Sequence, residues 1–391
     1  MSVNLGGYEK AAPILNEIMA QATGAQSIQT VDPSDFVSVA QTGLAIGYDP
    51  MYGAISQVLG RTIFSIRPYS RKFNDVELSE MEWGAYIRKI KIPDWEFDDS
   101  AEFDLTDGLS VDQWTVKKAN PLQLNILGQN TYSMQMPSVF LNQMDTAFSG
   151  PDELLQFMSQ QVQTGVNIRE QKIETLSRML VSNFIAGKIA ANNGVIHLLT
   201  EYHAETGVNL TPDNVYAPAN FPDFVYWLYA RLETLAGLMS ERSQLYQINV
   251  TGKEINQHTE GNNLRVKMYA PLMNAINARV KATTFQPSYL RMARTEAVQF
   301  WQSIQTPNTI NMTPTYLDGA TGQVITAQSA INNSTVIGVM YDRDALGMVR
   351  QNERYMPTPF NAKGHYSNAF YSWVEKWYTD YTEKGIILCL D

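Results

Sequence analysis

Four histidines, one cysteine and one acidic turn are the places where this chain could do chemistry. His197 and His203 stand six residues apart, with Glu201 between them and Glu205 after. A helical zinc pair needs a spacing near i, i+4, so these two do not share a helix face. All four histidines read as ordinary loop or core residues. Cys389 has no basic neighbour to lower its pKa, which disfavours a thiol nucleophile. Asp342-Arg343-Asp344 follows an apolar run. It is either an acid–base or metal pair at a strand end, or a turn with a charged lip, and the turn is the favoured reading. Asp104-Leu105-Thr106-Asp107-Gly108 lacks the alternating oxygen ligands and distal Glu of a calcium loop. Gly187-Lys188 lacks the upstream glycine and the following Ser/Thr of a phosphate loop, and no GxGxxG unit or GxSxG elbow occurs. The expectation is a chain with no catalytic residue, no metal and no cofactor.

The aromatic tail, Tyr366, Phe370, Tyr371, Trp373, Trp377, Tyr378 and Tyr381, could stack bases or sugars. Its acidic neighbours Glu375, Asp380 and Glu383 argue against nucleic acid and favour packing. Net charge is −10, which disfavours coating DNA but is compatible with enclosing it. Across 391 residues, 44% hydrophobic content can build a core, while 17% charge is low for a free monomer and suits a subunit that hides surface in assembly. A single cysteine excludes an intrachain disulfide and fits a reducing cytoplasm. The opening Met1-Ser2-Val3-Asn4-Leu5 has no signal-peptide pattern, and no apolar run reaches the ~18–20 residues of a membrane span. No membrane partner is expected.

The elements follow from periodicity and punctuation. Ala11 to Ala22 reads as a short helix with Ile14, Leu15 and Ile18 on one face. The rest of residues 1–60 reads as an extended arm, broken at Gly24, Pro33, Gly43, Gly47, Pro50, Gly53 and Gly60; it either drapes over its own body or reaches a neighbour. Tyr86 to Ile92, Trp95 to Asp98 and Leu122 to Leu127 are strand candidates. Residues 152–189 carry a helical stripe through Leu155, Met158, Val162, Val166, Ile173, Leu176, Leu180 and Phe184. This is one rod of roughly 55 Å at about 1.5 Å per residue, or two helices broken near Gly165. A second helix carries Phe224, Leu228, Leu232 and Leu235. Further helices are expected around Ala270–Lys281 and Met292–Ile304, and loop over 306–335. Val336 to Tyr341 and Gly385 to Leu390 read as short apolar strands.

Charge is divided along the hairpin region. Arg61 to Lys91 holds seven basic residues: Arg61, Arg67, Arg71, Lys72, Arg88, Lys89 and Lys91. Asp94 to Asp112 holds eight acids and no base: Asp94, Glu96, Asp98, Asp99, Glu102, Asp104, Asp107 and Asp112. Either two solvated strands pair with each other, or a protruding hairpin meets a neighbouring copy. On the second reading Arg67, Arg71, Lys72, Arg88, Lys89, Lys91, Asp94, Trp95, Glu96, Asp98, Asp99, Glu102 and Asp104 form a subunit interface.

Four stretches then carry a family resemblance. Met134-Gln135-Met136-Pro137-Ser138-Val139-Phe140, with Met144-Asp145-Thr146-Ala147-Phe148 and Pro151-Asp152-Glu153-Leu154-Leu155, resembles the end of an extended loop entering a spine helix. Arg169 to Ala186 resembles that helix. Val336 to Leu346 resembles a returning strand and its Asp-Arg-Asp turn, and Thr358 to Phe370 the loop before the final strands. In this order they resemble the major capsid proteins of tailed bacteriophages, the Hong Kong 97-type fold. The resemblance implies an α+β chain with an N-terminal arm (1–62), an extended β-hairpin loop (63–135) and a peripheral domain (136–250, spine helix 152–189). An axial domain (251–335) and a return to the peripheral domain (336–391) complete it. It implies self-assembly in pentameric and hexameric rings into an icosahedral virion shell around double-stranded DNA, without sequence-specific binding. The shell would be built in the host cytoplasm with a portal and either a separate scaffold protein or none, since residues 1–60 lack the charged heptads of a fused scaffold. The alternative is the shell of an encapsulin-like nanocompartment enclosing protein cargo.

Overall fold

The computed structural model describes residues 5–24, 29–32, 34–47, 50–51, 53–55, 72–78, 88–95, 114, 116, 118, 120–125, 128–135, 138–281, 295–359 and 361–391. In chain order the elements begin with helices α1 (Leu5–Thr23) and α2 (Phe36–Ile46) and strands β1 (Arg88–Lys91), β2 (Leu122–Asn125), β3 (Gly128–Gln135) and β4 (Val139–Phe140). Next come α3 (Leu141–Ala147), α4 (Pro151–Ala190), β5 (Val195–His197), α5 (Leu198–Thr206), α6 (Phe221–Ser240), β6 (Leu264–Tyr269), α7 (Ala270–Ile276) and β7 (Thr295–Val298). The last third holds β8 (Ile310–Met312), β9 (Thr315–Leu317), β10 (Val324–Thr326), β11 (Ile331–Asn333), β12 (Val336–Asp342), β13 (Leu346–Pro357), β14 (Tyr366–Ser367), β15 (Ala369–Thr379) and β16 (Gly385–Cys389).

The apolar runs of β12 and β16 dictate the centre of the molecule. A strand with no polar face must be covered on both sides, and every residue of both strands is buried. They sit in a mixed five-stranded sheet ordered β5-β16-β12-β6-β7. Alternate side chains point to opposite layers. Val339, Tyr341, Ile387 and Cys389 pack with Phe184 and Ile185 of α4. Ile337, Met340, Ile386 and Leu388 pack with Leu228, Leu232 and Leu235 of α6. The sheet is thus held between the two longest helices.

α4 is one unbroken helix of 40 residues, roughly 60 Å long. Pro151 occupies its first turn with Asp152 and Glu153, as anticipated, and Lys188 lies in its last. Gly165 does not break it. That residue is buried, and Val166 joins Leu15, Ile18 and Met19 of α1 in one apolar cluster. Packing of that kind outweighs the ~1 kcal/mol helix cost of a glycine. Along its C-terminal half α4 backs the central sheet, and a second sheet, ordered β13-β15-β3 and antiparallel throughout, lies beside it. The aromatic tail builds that sheet: Tyr371, Trp373 and Tyr378 are buried in it.

Several expectations need correction. The arm is not extended where it is described. Its α2 presents Phe36 and Ala40 to the same cluster as Leu154 of α4, with Met51, Ala54 and Ile55, so it drapes over its own body. Gly43, which reads as a breaker, lies inside α2, where its missing side chain admits the sulfurs of Met19 and Met51. No helix spans 295–304. Thr295 to Val298 is strand β7, paired in parallel with β6, and tertiary pairing overrides the local apolar spacing. The 306–335 loop contains two short antiparallel ribbons, β8 with β11 and β9 with β10. The central sheet draws strands from 195–197, 264–269, 295–298, 336–342 and 385–389, so it runs across the boundaries expected at 250 and 335.

Candidate assembly surface

The β1–β2 pair, the described part of the expected hairpin, is the element on which an assembly role was expected. β1 and β2 are antiparallel, with Lys89 opposite Leu124, Ile90 opposite Gln123 and Lys91 opposite Leu122. The period of two puts Lys89, Lys91, Leu122 and Leu124 on one face, and Ile90 and Gln123 on the other. Leu122, Leu124 and Lys91 are buried, so the lysine face is turned toward the body.

There the two lysines meet the turn after β15. Lys89 Nζ lies 2.9 Å from Asp380 Oδ2 and 2.6 Å from Glu383 Oε1. Lys91 Nζ lies 2.8 Å from Glu383 Oε1 and 3.6 Å from Asp380 Oδ2. Lys89 also donates to the Asp344 carbonyl at 3.1 Å. Asp380 is fully covered, and its Oδ1 accepts from the Thr382 amide at 2.8 Å and the Thr382 hydroxyl at 2.6 Å. Burial opposes ionisation of this carboxyl, but Lys89, Lys91 and Thr382 outweigh it and hold it below its ordinary value. The same carboxylates raise the Lys89 amine against the effect of burial.

Two further sets of ties fix the base. Asp94 pairs with Arg242, accepts from Asn256 Nδ2 at 2.6 Å, and donates its amide to the Glu254 carbonyl at 2.8 Å. Lys253 Nζ reaches the Pro121 carbonyl at 2.8 Å, so both hairpin strands are tied to the 250–256 loop. Ahead of the hairpin, the Lys72 amide donates to Glu174 on α4 at 3.1 Å, while the Lys72 side chain is exposed. Asp75 accepts from Lys267 Nζ at 2.7 Å and from the Tyr341 hydroxyl at 2.5 Å. Arg178 pairs with Glu174 at 2.8 Å and lies over the Phe73 ring at 4.8 Å.

This changes the assigned chemistry. Lys89, Lys91 and Asp94 were expected to face a neighbour, yet each is engaged within its own chain. Trp95 is exposed. Arg67, Arg71, Glu96, Asp98, Asp99, Glu102, Asp104 and the Arg88 side chain lie outside the described residues. Asp380, Glu383, Asp75, Glu174 and Lys267 were not anticipated. The available signal was the i, i+2 spacing of Lys89 and Lys91, which forces both onto one face; periodicity alone does not say that the face is inward.

The other candidates take structural places. Asp342 Oδ1 accepts the Asp344 amide at 2.9 Å and caps a short turn, the favoured sequence reading. His197 Nδ1 lies 2.7 Å from Asp391 Oδ1. Among the described residues no group of three or more His, Cys, Asp or Glu is placed to hold a metal, and no helix is long and apolar enough to cross a membrane.

The sequence matches the family described as Phi29-like phage major capsid protein over residues 13–383. A search of curated proteins returned no match. Among solved structures, the capsid structure of Staphylococcus phage Andhra is similar at 9% identity and a TM-score of 0.49, covering 83% of this chain and 86% of that one. The capsid structure of cyanophage P-SCSP1u is similar at 14% identity and a TM-score of 0.42, covering 83% and 90%. A structure from Mycobacterium phage Che8 is similar at 8% identity and a TM-score of 0.41, covering 83% and 93%.

Proposed function

The chain belongs to the Phi29-like phage major capsid protein family, and from that premise we propose how its parts divide the work of building a head shell. It is a structural subunit of a phage capsid with the α+β, Hong Kong 97-type fold expected from the sequence. The encapsulin-like alternative is not favoured.

On our reading, identical copies join by heterologous contacts that close into rings of five and six. α4 braces each copy, because one 40-residue rod backs the central sheet, the β13-β15-β3 sheet and the α1 layer. The hairpin within 63–135 overlaps a neighbour, and residues 1–62 support the body and border the adjoining copy. The ribbons of 251–335 gather near ring centres, and 336–391 returns the chain to the peripheral part. The shell encloses double-stranded DNA without sequence-specific contacts, in keeping with the net charge of −10. A separate scaffold protein and a portal take part, assembly occurs in the host cytoplasm, and the chain catalyses no reaction. The family match over residues 13–383 carries this reading.

Electron microscopy of the chain produced with the phage's other head proteins tests it. Closed polyhedra built of this chain are expected. Tubes, isolated rings or free monomers under those conditions would overturn it.

A further inference from the structure

The connection between β15 and β16 is not a surface turn. Connections normally run over the surface, where water satisfies their backbone. Residues 380–384 are all buried, and Glu383, the most exposed of them, is only 6% exposed. A buried turn must find protein partners for its polar groups. This one finds them in three separate parts of the molecule.

The first is the hairpin base, where Asp380 and Glu383 hold Lys89 and Lys91. The second is the contact of α4 with the β9–β10 ribbon. The Tyr381 hydroxyl lies 2.9 Å from both the Asn183 and the Thr315 carbonyl, and its ring stacks on Phe184 at 5.4 Å between centroids. The Asn183 side-chain amide completes this contact by exchanging two hydrogen bonds with the Thr315 backbone, at 3.0 and 3.1 Å. Gly187 leaves the room, since a Cβ there would lie 2.1 Å from the Tyr381 hydroxyl. The third part is the end of α6. Lys384, with no exposed surface, donates to the Glu241 carbonyl at 2.5 Å and to Ser243 Oγ at 2.9 Å. The backbone follows the same path: the Ile248 amide donates to the Tyr381 carbonyl at 2.8 Å, and the Gly385 amide to the Tyr246 carbonyl at 2.9 Å.

The two Thr382 bonds to Asp380 lock the backbone between these side chains. A close-packed interior passes a displacement on and does not absorb it. With one short turn serving three neighbours, no contact can open without moving the backbone that carries the other two. We propose that residues 380–384 are a single joint, on which the hairpin base, the β9–β10 ribbon and the end of α6 open and close as one cooperative unit. The hold on the hairpin is thereby set by Asn183 and Ser243 as well as by its own lysines. The joint consists of contacts within one chain, so it stands or falls independently of the shell-subunit reading.

Amide hydrogen exchange of the full chain, followed by mass spectrometry, tests this. Tyr381→Phe removes only a hydroxyl and Lys384→Met removes an amine, and the hairpin lysines bond to neither group. In each variant, exchange over Arg88–Lys91 and Leu122–Asn125 is expected to quicken about tenfold, the factor that ~1.4 kcal/mol gives and the size of one lost hydrogen bond. By reciprocity, Lys91→Met should quicken exchange over Thr315–Leu317 and over residues 243–248. Ile18→Val, a change of similar cost in the separate arm cluster, should leave hairpin exchange as it is. Faster exchange confined to the segments that each altered side chain meets would overturn the joint. So would a hairpin that loosens as much in Ile18→Val, since that response reports general stability. Tyr381→Phe keeps the ring on Phe184 and with it the fold; if Lys384→Met does not fold, Tyr381→Phe and Lys91→Met decide.

Discussion

Lys188 sits at the C-terminal end of the long helix with no exposed surface. Its amine donates to the Tyr246 carbonyl at 2.7 Å and to Asn193 Oδ1 at 2.9 Å, two bonds that a neutral amine can make. Burial pushes it down from 10.5 to about 7, against the pull of Asp380. The folded state therefore binds this proton more weakly than the unfolded state does. Below pH 7 both states carry it, and above 10.5 neither does. Between those limits only the unfolded chain is protonated, so this group makes stability rise with pH. Lys188→Met should remove that rise. The check is the slope of unfolding free energy against pH from about 7 to 10 in denaturant titrations of the isolated chain; an unchanged slope would refute the assignment. Methionine also leaves two acceptors unfilled, so the slope, and not the absolute stability, is the informative quantity.

At the scale of elements, the hairpin stands on a buried charge cluster. Removing one partner from such a cluster leaves an uncompensated charge, and the cost is about 3 kcal/mol. Lys91→Met should lower the unfolding free energy by roughly that amount, read by chemical denaturation. Asp380 adds a pH signature. Its folded carboxyl is held below the ordinary 3.8, so its contribution is complete above that value and is lost as pH falls through the lowered one. In Lys91→Met the loss should begin at a higher pH. Much of this element was legible in the sequence: the strands, their charge asymmetry and the long helix all follow from spacing. The direction in which the lysines face was not, because it depends on Asp380 and Glu383, almost three hundred residues away and read only as acidic company for an aromatic tail. Helix α2 and strand β7 were missed for a related reason. Each is short, and each is held by contacts with distant segments rather than by its own periodicity.

For the whole molecule, the arm is part of the body. Leu15, Ile18, Met19 and Phe36 share a buried cluster with Leu154 and Val166 of α4. Deleting residues 1–47 should therefore do more than weaken assembly. It should strip one side of the rod, lower the melting temperature by several degrees, and promote aggregation through the uncovered apolar surface. Calorimetry and analytical sedimentation of the truncated chain check this; a truncated chain as stable and monodisperse as the full one would mean that the arm is decoration. The same layering explains why a chain with 44% hydrophobic and 17% charged residues is workable. Three apolar clusters are stacked along one helix and one sheet, and a share of the charge is spent internally on joints between segments.

The central sheet also gives the molecule a chemical clock. The one thiol, Cys389, is wholly enclosed in β16, and burial together with Asp391 pushes it up to about 12. Neither access nor a thiolate is available until β16 parts from its neighbours. The rate at which an alkylating reagent consumes Cys389 therefore counts openings of the innermost layer. It does so in a free subunit and in any particle the subunit builds, with no label added and no residue changed.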